Sequence, residues 1–353
     1  LMTRFNYEAP LNLLTPSVVR KIGAIHESKG KQELYLQARP DVLDKLCTSA
    51  RIRSADASNR IEGISTSPQR LDSLMAQRSE PATRAEQEIA GYRDVLALIH
   101  ESHDYMPMTP NVILQMHGRL HRYSGHAFAG RWKDSDNAIV ERGPDGEERV
   151  RFRPTPAVAV PAAMDELCAS YVAAIKSGVM DPLVLVARFV FDFVSIHPFT
   201  DGNGRMSRLL TLLLLYQNGY LVGKYVSIED EINRTRDSYY DALAASSQGW
   251  EANANDYVPF VDYLLGVIVA VYADFEAKVS GMLSGSRGKA EQVERMISKS
   301  LGKVTKSEIA LVCPDISVTT IERVLKDLLD EGKIEKVGAG RATAYVWRGE
   351  PLP

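Results

Sequence analysis

His197-Pro198-Phe199-Thr200-Asp201-Gly202-Asn203-Gly204-Arg205-Met206-Ser207-Arg208 links two apolar runs, Leu183–Ile196 and Leu209–Tyr216. Both runs are too short for a bilayer span, and the first carries Arg188 and Asp192, so both are expected to be buried helices. The link between them is therefore a glycine-bearing loop that ends on a helix N-terminus. Backbone N–H groups at such a terminus form a ready anion site, and Gly202 and Gly204 let a ligand approach closely. Arg205 and Arg208, three residues apart, share a face of the first turn and are expected to reach phosphate oxygens. Asp201 offers the hard carboxylate oxygen that Mg²⁺ prefers beside nucleotide phosphates. His197 faces the same loop and titrates in the range of a general base. Together these residues point to phosphate-ester chemistry on a nucleotide.

Helix punctuation extends outward from this loop. Asp181-Pro182 opens the helix that ends near Ile196, and Asn218-Gly219 stops the one that follows Asn203. Upstream, Thr109-Pro110 starts a helix through His121, Thr83–His103 is another, and Asp41 opens one running toward Glu62. Asn137–Val140 and Arg149–Arg153 alternate about Pro144-Asp145-Gly146, which predicts a β-hairpin. Gly281–Gly288 (GMLSGSRG) has the composition of a linker. Beyond it, helices are expected over Glu291–Ser300, Lys306–Val312 and Val318–Glu331. Strands follow at Lys333–Val337 and Ala342–Trp347 about Gly338-Ala339-Gly340, the outline of a winged helix-turn-helix. The fold class is mainly α. The division is 1–81 as an N-terminal helical region, 82–280 as a catalytic core and 287–353 as the winged helix.

With 353 residues the chain is long enough for two or three domains, and a net charge of −3 gives no global attraction to nucleic acid or anionic membranes. Cys47, Cys168 and Cys313 are far apart and odd in number, which excludes a disulfide framework and fits a reducing compartment. No charged leader with an apolar core begins the chain, so a cytoplasmic protein without a membrane partner is expected. His117 and His121 have the spacing of a metal pair on one helix face, but no third ligand accompanies them and packing is expected. Trp132 and Trp250 are expected to pack, and Trp347 to close the C-terminal domain.

The twelve-residue stretch resembles the signature HPFx[D/E]GNGRxxR of the Fic (Fic/Doc) family at every defined position. The resemblance extends over roughly Ala82–Phe275, and the hairpin after Gly130-Arg131-Trp132 looks like the family's flap, which aligns a target segment by strand addition. It implies a Fic helical core with a β-hairpin flap and transfer of AMP from ATP, with Mg²⁺, to a hydroxyl of a target protein. His197 would be the base and Asp201 the Mg²⁺ ligand. Gly202, Asn203 and Gly204 would form the anion hole, with Arg205 and Arg208 on the β- and γ-phosphates and Met206 and Ser207 completing the nucleotide-binding turn. Asn233, Tyr239 and Tyr240 would enclose adenine and ribose. Glycine rather than lysine at Gly204 sets the chain apart from the phosphorylating Doc branch and favours AMP transfer.

Ser58-Asn59-Arg60-Ile61-Glu62-Gly63 resembles the family's inhibitory pattern [S/T]xxxE[G/N]. Ser58 and Glu62 lie one turn apart, with Gly63 at the helix end, and Glu62 is expected to pair bidentately with Arg208 in place of the γ-phosphate. In some family members this glutamate instead positions a water that removes AMP, so a de-AMPylase or bifunctional enzyme is the alternative. A DNA-binding regulator with a nucleotide-sensing Fic domain is another. Residues 286–353 hold twelve Lys/Arg and ten Asp/Glu, and the candidate recognition helix carries Glu322, Asp327, Asp330 and Glu331, which repel phosphates. DNA is thus a lesser candidate partner than a target protein bearing a Ser, Thr or Tyr hydroxyl. Self-modification and a homodimer are compatible with the same reading.

Overall fold

The computed structural model describes residues 5–7, 12–38, 40–142, 148–298, 300, 302–313, 316–338 and 343–348. In chain order its elements are α1 (Pro16–Ala38), α2 (Pro40–Ile61), α3 (Pro68–Met75), α4 (Arg84–Ser102), α5 (Pro110–Leu120), β1 (Ile139–Arg142), β2 (Glu148–Phe152), α6 (Val160–Ser177), α7 (Pro182–Ile196), α8 (Asn203–Gln217), α9 (Ile228–Arg234), α10 (Arg236–Ser247), α11 (Val258–Ser298), β3 (Val304–Thr305), α12 (Lys306–Val312), α13 (Val318–Asp330), β4 (Ile334–Val337) and β5 (Ala344–Trp347). The chain forms two compact units, Leu1–Glu276 and Ala277–Pro353. The 1–81 region is thus part of the first unit rather than a domain of its own. The backbone is helical through Gly281–Gly288, where composition suggested a linker. Glycine is a weak helix former, but the three glycines of this stretch, Gly281, Gly285 and Gly288, lie within a 41-residue helix and cost little beside the turns that flank them.

Helix starts follow the local chemistry. Thr83 and Glu86 form a capping box on α4, the Thr109 side chain accepts from Val112 N on α5, and Asp181 accepts from Leu183 N on α7. In the first unit α7 and α8 pack on each other at the centre, with α6, α4 and α2 around them. Residues of α7 and α8 such as Phe189, Phe193, Leu209 and Leu213 are fully buried. Burial of whole side chains of this size contributes about 1.5–3 kcal/mol each before entropy is counted. Val258–Val279 is apolar and long enough to cross a bilayer by composition; here it buries Phe260, Leu264, Ile268 and Phe275.

The charges on α7 are accommodated by partners. Asp192, wholly buried, accepts from Tyr7 OH at 2.6 Å, Trp250 Nε1 at 3.0 Å and Tyr257 OH at 3.0 Å. Arg188 lies over the Tyr7 and Tyr257 rings at 4.3 and 4.8 Å and donates to the Tyr7 and Asn6 carbonyls. A buried carboxylate needs such a set of donors to remain in the core.

Helices α4 and α5 cross at Gly91, where an added Cβ would collide with the Leu120 carbonyl oxygen. Gly91→Ala is therefore expected to lower stability by about 3 kcal/mol, because backbone must move on both helices. An unchanged urea midpoint for the full chain would contradict that packing account.

β1 and β2 pair antiparallel, with Ile139 opposite Phe152, Val140 opposite Val150, and a bulge between Ile139 and Val140. The Pro144–Gly146 turn lies outside the described residues. In the second unit, β3, β5 and β4 form a three-stranded antiparallel sheet with β5 central. Ile309, Ile321, Leu325 and Leu328 of α12 and α13 form its core, and Trp347 packs against them. Two residues of the expected turn between β4 and β5, Ala339 and Gly340, lie outside the described residues.

Candidate active site

The chain enters the site through a strained residue. His197 caps α7 with φ 52° and ψ 61°, left-handed values that a non-glycine residue adopts only when its surroundings enforce them. Its N–H donates to Phe193 O at 3.0 Å, and its Nδ1 is 3.3 Å from Val194 O. A carbonyl partner requires Nδ1 to carry the proton, which leaves Nε2 as the basic nitrogen. Burial pushes the imidazole down to about 4, and the Lys133 ammonium pushes the same way. His197 is therefore neutral, and competent as a base, throughout the physiological range.

The loop that follows is held from within and from below. The Asn203 side chain accepts from Phe199 N at 2.9 Å and donates to Phe199 O at 2.7 Å. Its amide thus closes the loop on itself. His117 stacks on the Phe199 ring at 3.7 Å, donates from Nε2 to Asp201 O at 3.0 Å, and accepts from Gly130 N at Nδ1. Those two partners fix the neutral tautomer, and burial pushes His117 down to about 4. His121 lies one turn on, beneath Gly202, pushed down to about 3 by burial. His117 and His121 are thus packing residues, as expected, but packed under the loop itself.

Gly202 has φ 85° and initiates α8. The left-handed backbone and the His121 ring beneath it both require glycine here. The Asp201 carboxylate, 42% exposed, takes Gly202 N at 2.6 Å and points to the mouth of the site. On the first turn of α8, Met206 and Ser207 are buried, and the Ser207 hydroxyl donates to Gly204 O at 2.7 Å.

The two arginines of this turn differ. Arg208 donates from Nε to Ser58 Oγ at 2.8 Å, and from Nη2 to Ser58 O at 2.9 Å and Glu62 Oε1 at 2.7 Å. The expected bidentate pair is replaced by a three-point grip, because Ser58 takes Nε and shares Nη2 with Glu62. Glu62 Oε1 lies so close over Gly204 that a Cβ there would overlap it. Arg205, by contrast, is 1% exposed, with Nη1 2.7 Å from Glu88 Oε2 and Nη2 3.5 Å from Asp201 Oδ1. The guanidinium is thus buried and flanked by two carboxylates, while its Nε has no hydrogen-bond partner among the described residues.

Helix α2, which carries Ser58 and leads directly into Glu62, is fastened by a buried hub at Glu229. That carboxylate accepts from Ser54 Oγ at 2.8 Å, Tyr92 OH at 2.8 Å and Ser227 Oγ at 3.1 Å, tying α2 and α4 to α9. Gly63 follows α2 with φ 76°. On the far side Tyr239 is buried, its ring 5.3 Å from Tyr240 and 5.8 Å from Tyr263. Asn233 and Tyr240 are partly exposed, near the end of α9 and the start of α10. Lys133, 4% exposed, donates from Nζ to Asn137 Oδ1 at 2.6 Å and from its backbone to Pro198 O. Glu88, Lys133 and Glu229 were not legible as site residues. Glu88 sits four residues after Arg84, a spacing that looks like an ordinary exposed helix pair.

Residues 107–215 match the family model described as the Fic/DOC family. The protein adenylyltransferase Fic of Culex quinquefasciatus is 38% identical over 89 residues, 25% of this chain and 15% of that protein. The protein adenylyltransferase fic-1 of Caenorhabditis briggsae is 39% identical over 85 residues, 24% of this chain and 14% of that protein. The chain thus aligns with only a small part of these relatives' length. Among solved structures, a Fic family protein from Desulfovibrio desulfuricans G20 superposes with a TM-score of 0.64 at 23% identity, over 98% of this chain and 100% of that one. A Fic domain-containing signaling protein from Bacteroides thetaiotaomicron VPI-5482 superposes with a TM-score of 0.61 at 22% identity, over 74% of this chain and 97% of that one. At those identities the likeness is one of fold.

Proposed function

We propose that this chain, which carries a Fic/DOC-family domain over residues 107–215, is a protein adenylyltransferase restrained by its own Glu62. The observation that carries the reading is the Glu62 carboxylate, held over Gly204 at the start of α8 and gripped by Arg208. A carboxylate in that position stands in for an anion of the substrate, and it shares one guanidinium with Ser58. In the reaction, the neutral His197 Nε2 takes the proton of a Ser, Thr or Tyr hydroxyl on a target protein, or on the chain itself. The hydroxyl oxygen attacks the α-phosphorus of ATP, the bond to the pyrophosphate oxygen breaks, and pyrophosphate leaves. N–H groups at the start of α8 face the charge that develops on the phosphoryl oxygens. The β1–β2 hairpin serves as the flap on which an extended target segment adds as a strand. Tyr239, Tyr240 and Asn233 form the wall for adenine and ribose.

The residues present fit Mg²⁺. Asp201 keeps an exposed carboxylate, and among the described residues no three His, Cys, Asp or Glu converge as a metal-binding group. Such a cation takes one protein carboxylate and completes its shell with phosphate oxygens and water. When bound, it would neutralise phosphate charge beside Asp201.

The decisive experiment measures AMP incorporation from labelled ATP by the wild type, Glu62→Gly, and Glu62→Gly/His197→Ala. Label that appears with Glu62→Gly and vanishes in the double variant supports the reading. No transfer by any variant, to itself or to lysate proteins, would sink it.

The second unit we read as a winged helix that docks protein rather than DNA. The exposed face of α13 carries Glu322, Asp327 and Asp330 against Arg323 and Lys326, and Lys306 is already paired to Glu322 at 2.6 Å. The full chain is expected to show no saturable binding to duplex DNA at low salt in fluorescence anisotropy. Saturable binding that weakens steeply with salt would contradict this. A cytoplasmic location fits the unpaired cysteines.

A further inference from the structure

Glu88 closes a ring of alternating charge around Asp201. Its Oε2 is 2.7 Å from Arg205 Nη1, and its Oε1 accepts from Arg84 Nε at 2.9 Å. The other ends of both arginines turn to Asp201: Arg205 Nη2 is 3.5 Å from Oδ1, and Arg84 Nη2 is 3.9 Å from Oδ2. Each carboxylate therefore faces both guanidiniums, and each oxygen has its own arginine. Half of the ring, Glu88 and Arg205, is buried; Arg84 is 71% exposed at the mouth beside Asp201.

We propose that Glu88 is a positioning residue that balances the two arginines, and so sets how firmly Asp201 holds a divalent cation beside nucleotide phosphates. The inference rests on the nucleotide-transfer reading of the same site. The ring as built is neutral, two guanidiniums against two carboxylates. Asp201 bonds only weakly to its arginines, at 3.5 and 3.9 Å, because Glu88 takes the shorter contacts of both. Remove the Glu88 charge and both guanidiniums have Asp201 as their one remaining carboxylate in the ring. An incoming dication must then displace two positive groups from a site that has gained net positive charge. Remove Arg84 instead and the ring gains net negative charge, freeing one Asp201 oxygen. Opposite signs at two neighbouring residues distinguish charge balance from simple bracing of α4 against α8.

The test uses the full-length Glu62→Gly chain, so that the inhibitory carboxylate does not obscure nucleotide binding. Isothermal titration with ADP, once in Mg²⁺ and once in EDTA, gives two dissociation constants. Their ratio measures how strongly the protein couples cation to nucleotide. Loss of bracing alone weakens both constants together and leaves the ratio in place. Glu88→Gln is expected to reduce the ratio about tenfold, the usual scale for a residue that orients a metal ligand. Arg84→Met is expected to raise it about threefold, the scale of one screened charge at the surface. The double variant Glu88→Gln/Arg84→Met should return close to the parent. A ratio unmoved by Glu88→Gln, or not recovered in the double variant, overturns the inference. Should Glu88→Gln fail to fold, Arg84→Met decides alone, and an unchanged or smaller ratio overturns it. A parent that binds ADP with no Mg²⁺ dependence overturns both this inference and the reading beneath it, which separates that failure from failure of Glu88 alone.

Discussion

Glu62→Gly raises AMP incorporation by about 10- to 100-fold over the wild type, and His197→Ala in that background lowers it by about 10²- to 10⁴-fold. The first figure follows from what the carboxylate does now. Its Oε1 holds Arg208 Nη2 at 2.7 Å and covers Gly204, so the terminal phosphates of ATP must displace it to reach the same guanidinium. A hydrogen bond to a charged group contributes about 1.5–3 kcal/mol, and removing that competition corresponds to one or two powers of ten in rate. Ser58 continues to hold Arg208 at Nε and Nη2, so the arginine remains aimed at the site in the variant. The second figure is the ordinary contribution of a general base. The assay is incorporation of labelled AMP with Mg²⁺ present, followed across pH. Because burial pushes His197 down to about 4, activity should not fall between pH 7.5 and 6 through protonation of the base. A wild type already as active as Glu62→Gly would show that the contact does not inhibit.

Acid stability is the second large effect. His100, His117, His121 and His197 are pushed by burial to about 3, 4, 3 and 4, whereas a histidine in the unfolded chain titrates near 6.5. Above pH 6.5 all four are neutral in both states and none favours unfolding. As pH falls below 6.5 the unfolded chain takes up protons that the folded chain refuses, so stability is lost from about pH 6.5 down to about pH 4. Each histidine contributes about 1.4 kcal/mol per pH unit across that window, and a domain holds only about 5–15 kcal/mol in all. The first unit should therefore unfold before pH 4 is reached. Urea midpoints at pH 7.5, 6.5, 5.5 and 5.0 test this, and a flat profile would contradict the burial of these rings. His117→Gln, which keeps a polar group near Asp201 O, should flatten the slope by about one proton.

The parts legible in the sequence were those that local chemistry writes. Thr83, Thr109 and Asp181 announced the starts of α4, α5 and α7, because a side-chain oxygen must satisfy the free N–H groups of a first turn. The glycine loop into α8 could be read as an anion site for the same reason, whereas the relation of Ser58 to Glu62 entered through resemblance to a family pattern. At Gly281–Gly288 composition misled: helical backbone depends on the hydrogen bonds of the neighbouring turns as well as on each residue's own preference.

Sequence by itself determined which residues make up the loop before α8, since His197 through Arg208 are joined by a few peptide bonds and have little freedom to separate. It could not divide labour between the two arginines. Arg205 and Arg208 share a face of one turn, yet Arg205 meets the buried Glu88 from α4, while Arg208 meets Ser58 from α2 and Glu62 from the turn just after it. Glu88 is 117 residues from Arg205 and Ser58 is 150 from Arg208, as the numbering shows. Which carboxylate a guanidinium meets depends on which helix faces packs together, and packing follows apolar burial across the whole unit, a quantity no short motif contains.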